Sequence, residues 1–549
     1  MKTSMKRKIL VTNALTYANG DLHLGHLIGY IQPDIWVRFQ KMAGNECYFI
    51  CGSDCHGTPI MLQAEKEGLS SEEMVAKIKL NQEYDCKKFL VNLDYFGSTH
   101  SPANKTICEE IYNKLTSNDD IVKKDIEQFY DQEKNIFLPD RYVKGTCPKC
   151  NAPNQYGDSC EVCSATYDPT DLINPISVIS NTAPIKKTSG HYFFKLANYT
   201  DKLKNWMCEK HLQPQVINKM QEWFADGLKN WDISRDAPYF GFEIPNADNK
   251  YFYVWFDAPI GYIAIFKDFC AQHNKYDFQE YWQENTNTEL YQFLGKDIMY
   301  FHALFWPALL MGAGKRLPTK ISTHGFLTIN GEKMSKSRGT FIKARDYLKY
   351  FDPECLRYYL ASKLTARIED IDLNFTDFRL RINSDLVGKI INIASRCAGF
   401  INKNFQNKLS TAIIDENLIN DFQKSSTEIF TYYEEREFAK IIRKVTALAD
   451  ITNQYIDKEK PWQLIKNDAD KEKVHAVCTL GLNLFRLLMI YLKPILPGLA
   501  EKSESFLNVA PFTCADANSV LLNHAINNFQ PMLQRIDEQQ TNDILNNHL

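Results

Sequence analysis

Two histidines stand three positions apart in the run His23-Leu24-Gly25-His26, just past the point where a short apolar stretch gives way to a helical pattern. Imidazoles at that spacing share one helix face. A helix start also offers unpaired backbone N–H groups and the positive end of the dipole to anions. Gly25 leaves room for a flat ring or a ribose to approach the backbone. The chemistry on offer is hydrogen-bond donation to phosphate oxygens whose charge changes in a transition state. Read alone, the pair fits two incidental histidines equally well. Far downstream, Gly331-Glu332-Lys333-Met334-Ser335-Lys336-Ser337-Arg338-Gly339 sets three cations in a glycine-bounded loop. Flexible ammonium groups there suit the neutralisation of a leaving pyrophosphate; the plainer alternative is a solvated charged loop.

Cys147-x2-Cys150-x9-Cys160-x2-Cys163 has the spacing of two thiolate pairs on tight turns that enclose one tetrahedral zinc ion. Four thiolates leave no open coordination position, so the metal is read as structural. The chain has 15 cysteines, an odd and mostly scattered set, which fits a reducing compartment better than a disulfide framework.

These groups need a scaffold, and 549 residues are enough for three or four folding units. Hydrophobic residues make up 44% and charged residues 24%, the composition of a chain with a large buried core. Lys plus Arg is 64 and Asp plus Glu is 67, a net charge of −3, so a nucleic-acid partner must be held by a local surface. The opening MKTSMKRK is followed by only Ile9, Leu10 and Val11, too short for a signal core, and the apolar stretch near the end carries Arg486, Lys493 and two prolines. No segment reads as a membrane span. Residues 8–15 read as a strand, followed by a loop and a helix to about Gly44; CYFICGSDCHG reads as a second strand before more helix. The repeat implies a doubly wound parallel sheet of the Rossmann-like α/β class, with ligands at the carboxyl ends of its strands. Residues 118–230 break the pattern and read as an insertion; it returns with KYFYVWFDAPIGYIAIF and LYQFLGKDIMYFHALFWPALLMGAG, read as the second half of the same sheet. From about 390 onward helical periodicity dominates, predicting an α-helical bundle.

Taken together, HLGH and KMSKS resemble the paired signatures of class I aminoacyl-tRNA synthetases, whose loops meet over one ATP. The segments ALTYANGDLHLGH, NWDISRDAPYFG, VWFDAPIGY and GKDIMYFHALFWP narrow the resemblance to the methionyl-tRNA synthetase family, over most of the chain. That resemblance implies activation of L-methionine by ATP with Mg²⁺, then transfer to tRNA(Met), initiator and elongator. It assigns His23, Gly25, His26 and Asp297 to ATP, and Lys333 and Lys336 to the departing phosphates. The methionine pocket would comprise Ala14, Leu15, Tyr17, Trp255, Ala258, Pro259, Tyr262, Ile298, His302 and Trp306, with Asp54 on the ammonium group. Tyr262 and His302 would approach the sulfur. From spacing alone, Ile298, His302 and Trp306 are better read as one buried helix face. Trp231 and Arg235 are placed beside the active site. Asn392, Arg396, Pro461 and Trp462 would read the CAU anticodon, by stacking and edge hydrogen bonds. The resemblance thus divides the chain into catalytic halves at 1–117 and 231–339, the zinc-bearing insertion at 118–230, a stem-contacting linker at 340–389 and an anticodon-binding domain at 390–549.

Some members of the family carry a second CxxC knuckle and a C-terminal dimerising module. Here DPTDLINPISVISNTAP stands in place of the former and the sequence ends at NDILNNHL, so one zinc, a monomer and a cytoplasmic location are expected. The rival readings are a class I enzyme for cysteine, leucine, isoleucine or valine, and a noncatalytic zinc-containing RNA-binding protein. Metal analysis of the purified chain is expected to find close to one zinc per molecule; two would contradict the single-knuckle reading.

Overall fold

The computed structural model describes residues 6–157, 159–163, 165, 167–273, 276–334 and 341–547. KILVTN forms strand β1 (Lys8–Asn13) and is apolar at successive positions because both of its faces are covered. Ile9 and Val11 enter the core on one side of the sheet and Leu10 the core on the other. Helix α1 (Leu24–Met42), strand β2 (Glu46–Asp54), strand β3 (Tyr95–Ser98) and helix α2 (Pro102–Ser117) follow. After the insertion come helix α3 (Val254–Gln272), strand β4 (Glu289–Gly295), helix α4 (Trp306–Ala313) and strand β5 (Lys320–His324).

The strands are parallel in the order β5-β4-β1-β2-β3, with Thr16–Tyr17 continuing the course of β1 alongside β2. The chain winds outward from β1 in one direction and then in the other. The crevice beyond the carboxyl ends of β1, β2 and β4 is therefore the place where a doubly wound sheet accepts ligands.

The insertion is built differently. Ile121–Asp131 and Ile185–Phe194 pair antiparallel over their length, with Ile121 opposite Phe194. The two-residue strand Trp231–Asp232 joins the edge of this ribbon and leads the chain back toward the crevice. One expectation is corrected here. Lys250–Phe252 is not a strand of the parallel sheet; it pairs antiparallel with Ser234–Asp236, and the sheet resumes only at β4. At three residues it is too short to cross the sheet, and the apolar run that made it look like a central strand belongs to α3.

The last third is helical, including α5 (Asn392–Asn404), α6 (Phe438–Glu459) and α7 (Lys471–Leu492). Residues 468–492 are long and apolar enough to cross a membrane, yet 89% of that window is buried inside the protein, as in a core helix. One apolar cluster runs from Ile9 and Val11 under α1 to Leu484 and Ile544, so the sheet and the helical domain share a core.

A polar tie sits inside this joint. Arg357, fully buried, donates to Asp34 Oδ2 of α1 at 2.6 Å, to the carbonyls of Ile495 at 2.8 Å and Pro494 at 3.1 Å, and to that of Phe89 at 3.3 Å. Asp34 also accepts from Arg38 at 2.8 Å. Removing one partner of a buried ion pair strands the other, so Arg357→Met is expected to cost about 3–5 kcal/mol. Denaturant unfolding checks this; an unchanged midpoint would contradict it.

Candidate functional site

His23 is the N-cap of α1 and does an unusual job for an imidazole: its Nδ1 accepts from Gly25 N–H at 3.1 Å. His26 Nδ1 in turn accepts from His23 N–H at 3.3 Å, closing a capping box. An Nδ1 that accepts leaves the proton of the neutral ring on Nε2. The cap therefore fixes the tautomer in which each ring can donate outward. The rings stack at 3.6 Å, and burial together with the neighbouring His23 pushes the pKa of His26 down to about 3, keeping it neutral.

The second signature lies against the first. A Cβ at Gly25 would stand 2.7 Å from Met334 Cε and 3.0 Å from His23 Cε1, so both side chains close on the bare glycine backbone. Leu24 N–H donates to Ile342 O, Ala344 N–H donates to Leu22 O, and Phe341 meets the edge of the His23 ring. Lys333 lies in the short strand Glu332–Lys333; Lys336 lies outside the described residues. Both flanks of the cationic loop thus pack on the start of α1. Asp297, exposed, follows β4 in a short turn beside Gly295.

At the end of β2 a small pocket is lined by Ala14, Leu15, Asp54, Trp255, Ala258, Pro259, Tyr262, Ile298 and His302. Tyr17 and Trp306 are off its wall. The Tyr17 hydroxyl lies against Gly57, and Trp306 packs edge-on behind Tyr262 with its indole N–H on Gln292 Oε1 at 3.0 Å. A π-helical turn, Phe301–Phe305, feeds α4, a feature frequent at functional sites. Phe301 stacks on Trp255 at 3.9 Å, and Trp231 packs on Phe305 at 4.3 Å, so an aromatic layer backs the cavity. Arg235 lies over the Tyr253 ring at 3.6 Å.

The lining combines one acidic group with one neutral polar pair. Asp54 is buried, its Oδ1 lacking any hydrogen-bond partner among the described residues, and burial, with the charge of Asp257, holds its pKa well above the carboxylate range. A cationic ligand group would satisfy that oxygen. His302 Nδ1–H donates to Ile298 O at 3.1 Å, so its Nε2 accepts from the Tyr262 hydroxyl at 2.9 Å. Burial pushes the His302 pKa down to about 4, so this wall is neutral at physiological pH.

Sequence reasoning missed two buried polar clusters. His56 bridges Asp257 and His100 behind Asp54. His191 sits between Asp232 and Asp236, with Asp232 also accepting from Arg235 at 3.2 Å. Their members are too far apart in the chain for spacing to reveal them.

Away from the crevice, the Sγ atoms of Cys147, Cys150, Cys160 and Cys163 lie within 4.8 Å of one another. Cys147 and Cys163 are 3.9 Å apart and Cys150 and Cys160 3.6 Å apart, bracketing the about 3.8 Å edge of a tetrahedron with metal–sulfur bonds of about 2.3 Å. Backbone N–H groups of Lys149 and Cys163 donate to sulfur at 3.4 Å, as bound thiolates favour. In the helical domain, Asn392 opens α5 and Arg396 follows one turn later. Arg396 lies 5.0 Å from the centre of the Trp462 ring and pairs with Asp457. Pro461 starts a short turn that leaves Trp462 38% exposed, a large aromatic surface for a domain to leave in solvent.

Residues 9–398 match the family described as tRNA synthetases class I (M), and residues 409–544 match the anticodon binding domain of methionyl tRNA ligase. The chain is 56% identical over 542 residues to a methionine–tRNA ligase of Francisella tularensis subsp. holarctica (strain OSU18), covering 98% of this chain and 80% of that one. A relative from F. tularensis subsp. tularensis (strain SCHU S4) matches to the same extent, 56% over 542 residues. Among solved structures, Mycobacterium tuberculosis methionyl-tRNA synthetase in complex with methionyl-adenylate shares the fold at TM-score 0.80 and 22% identity, over 96% of this chain and 100% of that one. Its apo form matches at TM-score 0.73 and 20% identity, over 98% of this chain and 100% of that one.

The His191 cluster clasps the insertion to the segment carrying Trp231 and Arg235. Both ring nitrogens face carboxylate oxygens at 2.8 Å, so the ring is held as an imidazolium. Burial lowers its pKa, but the hydrogen bonds and charges of Asp232 and Asp236 outweigh that and raise it. Its contribution to stability is therefore full below about pH 6.5, the unfolded value, and is lost as pH rises through the raised folded value. The stability gap between the native chain and His191→Gln is expected to be widest at low pH and to narrow as pH rises. Thermal melts across that range check this, and a gap widening with pH would contradict it.

Proposed function

This chain belongs to the methionyl-tRNA synthetase family of class I aminoacyl-tRNA synthetases, and from that premise we propose how its own residues carry out methionine–tRNA ligation. L-methionine and ATP form methionyl-adenylate and pyrophosphate; the methionyl group then passes to the 3′-terminal adenosine of tRNA(Met), releasing AMP.

The substrate ammonium group sits on Asp54, whose buried Oδ1 lacks a partner. The thioether enters between Trp255, Pro259 and Ile298, and its sulfur approaches the Tyr262–His302 pair. A neutral wall at that depth favours an uncharged, polarizable side chain over a lysine- or arginine-like one. Selection against a side chain one methylene different is limited to about 1–3 kcal/mol, so homocysteine is also activated to some extent. With the carboxylate aligned, its oxygen attacks the α-phosphorus and the bond to the bridging oxygen breaks. His23 and His26 donate from Nε2 to the phosphates, beside Gly25 and Asp297, while Lys333 and Lys336 take up the charge of the departing pyrophosphate, which Mg²⁺ accompanies. Trp231 and Arg235 border the methionine end.

Cys147, Cys150, Cys160 and Cys163 would hold a zinc ion that ties the insertion's knuckle together and has no open position for a reacting group. Asn392, Arg396, Pro461 and Trp462 form the anticodon reader, with Trp462 as stacking platform, for initiator and elongator tRNA alike.

The observation that supports this reading best is the pocket, whose lining joins apolar and aromatic side chains to one buried carboxyl oxygen that has no partner among the described residues. It is tested by separating the two half-reactions. His23→Ala is expected to slow ATP–pyrophosphate exchange on the order of a hundredfold. Trp462→Ala is expected to leave exchange near the native rate while lowering tRNA charging about tenfold, the worth of one stacked base. Unchanged exchange in the first variant, or equal loss of exchange and charging in the second, would contradict the assignment.

A further inference from the structure

The helix Ser71–Lys88 takes no part in the chemistry described above, yet its C-terminal half touches three of the segments that lead to it. Gln82, fully buried, accepts from the Ser53 hydroxyl at 2.6 Å, and Ser53 precedes Asp54 at the end of β2. The Gln82 amide donates to the carbonyls of Tyr17 at 3.2 Å and Gly20 at 3.4 Å, in the run that joins β1 to the His23 cap. Asn81 donates to Asp21 Oδ1 at 3.0 Å, two residues before that cap. One stretch of helix thus holds the approach to the first signature by three hydrogen bonds.

It also holds the exit from the second. Beyond the cationic loop, Lys343 lies opposite His23 in an antiparallel bridge, and Ile342 and Ala344 make backbone hydrogen bonds with Leu24 and Leu22. Lys343 donates to Asp21 Oδ2 at 3.2 Å, the carboxylate whose other oxygen Asn81 holds. Two residues on, Arg345 Nε donates to Asp85 Oδ1 at 2.7 Å, and a terminal nitrogen of the same guanidinium donates to Asn81 O at 3.3 Å. Asp85 is fully buried and its Oδ2 has no hydrogen-bond partner among the described residues, so Arg345 is the cation that answers it. A carboxylate withdrawn from water holds such a partner firmly, because separating the two strands a buried charge. The Lys343–Asp21 pair is more open, with half of the Lys343 side chain exposed. Backbone pairing of 342–344 with 22–24 already joins the two signatures. The helix adds a common reference for both, fixed to β2 beside Asp54.

We propose that Asn81, Gln82 and Asp85, with Arg345 as the link, form a bracket that sets the root of the cationic loop relative to the histidine cap and so aligns the loop with the phosphates during adenylate formation. They are positioning residues: none lines the methionine pocket, and Arg345 acts through the chain that leads into the loop. Placement of this kind governs rate, since a misplacement of about 1 Å in a reacting group can cost about a hundredfold. This role rests on the assignment of both signatures to ATP.

The test uses the full chain and separates methionine binding, read by equilibrium dialysis without ATP, from adenylate formation, read in a single turnover. Arg345→Met removes the link but strands Asp85, so the double variant Arg345→Met/Asp85→Asn, which carries neither charge, is measured beside it. Both are expected to slow adenylate formation on the order of tenfold while the methionine Kd stays within about twofold of the native value. Arg345→Lys, which keeps the cation but not the fork, is expected to recover part of the rate. A native rate in the double variant alone would place the effect in the stranded charge, and a loss of methionine affinity equal to the loss of rate would place it in the fold; either result overturns the proposal. His23→Ala separates the two levels. If it slows adenylate formation while both Arg345→Met variants keep the native rate, the bracket alone is refuted; if it leaves the rate unchanged, the assignment of the signatures falls and the proposal with it.

Discussion

A carboxyl group stripped of water with an unmet oxygen is costly, and among the described residues Asp54 presents one at the end of a central strand. The surrounding structure can be understood as what that group requires. It needs a rigid floor, supplied by β2 between β1 and β3. It also needs a counter-wall with no charge of its own, which the buried Tyr262–His302 pair provides. A site charged at one end and neutral at the other is complementary to an amino acid with a long uncharged side chain.

The nucleotide end obeys a different logic. Each imidazole of the His23–His26 cap gives up its Nδ1 to a backbone N–H, so the outward-facing nitrogen is the protonated one. Gly25 admits Met334, and the chain beyond the cationic loop returns to bond with Leu22 and Leu24, so two signatures distant in sequence share one small volume. Farther away, Arg357 and the continuous apolar cluster lock the helical domain to α1, the same helix that His23 caps. A rigid joint of this kind gives the Trp462 surface a defined position relative to the crevice.

What could be read from the sequence was whatever is local. The HLGH run, the charged loop and the two CxxC pairs each carry their chemistry within a few residues, and the structure brings the four cysteines together. The parallel sheet was legible because β1 and β4 are apolar at successive positions. Lys250–Phe252 was misread because a three-residue ribbon strand before a buried helix has the apolar density of a central strand. The line through His56, His100 and Asp257, and the clasp of His191 with Asp232 and Asp236, were illegible because their partners come from separate elements and single buried histidines leave no periodic trace. The methionine set came from family resemblance; periodicity alone could not have told Ile298 and His302, on the cavity wall, from Trp306 behind it.

The central claim is that the cleft selects an amino acid by pairing its ammonium group with Asp54 and its neutral, polarizable side chain with the Tyr262–His302 wall. The most direct measurement is ATP–pyrophosphate exchange with each of the twenty amino acids supplied singly, since it reads selection without tRNA. The account predicts exchange driven chiefly by methionine. Exchange driven chiefly by a branched or charged amino acid would contradict the cavity's assignment, and no exchange with any of them, from folded zinc-loaded protein, would contradict the catalytic reading itself.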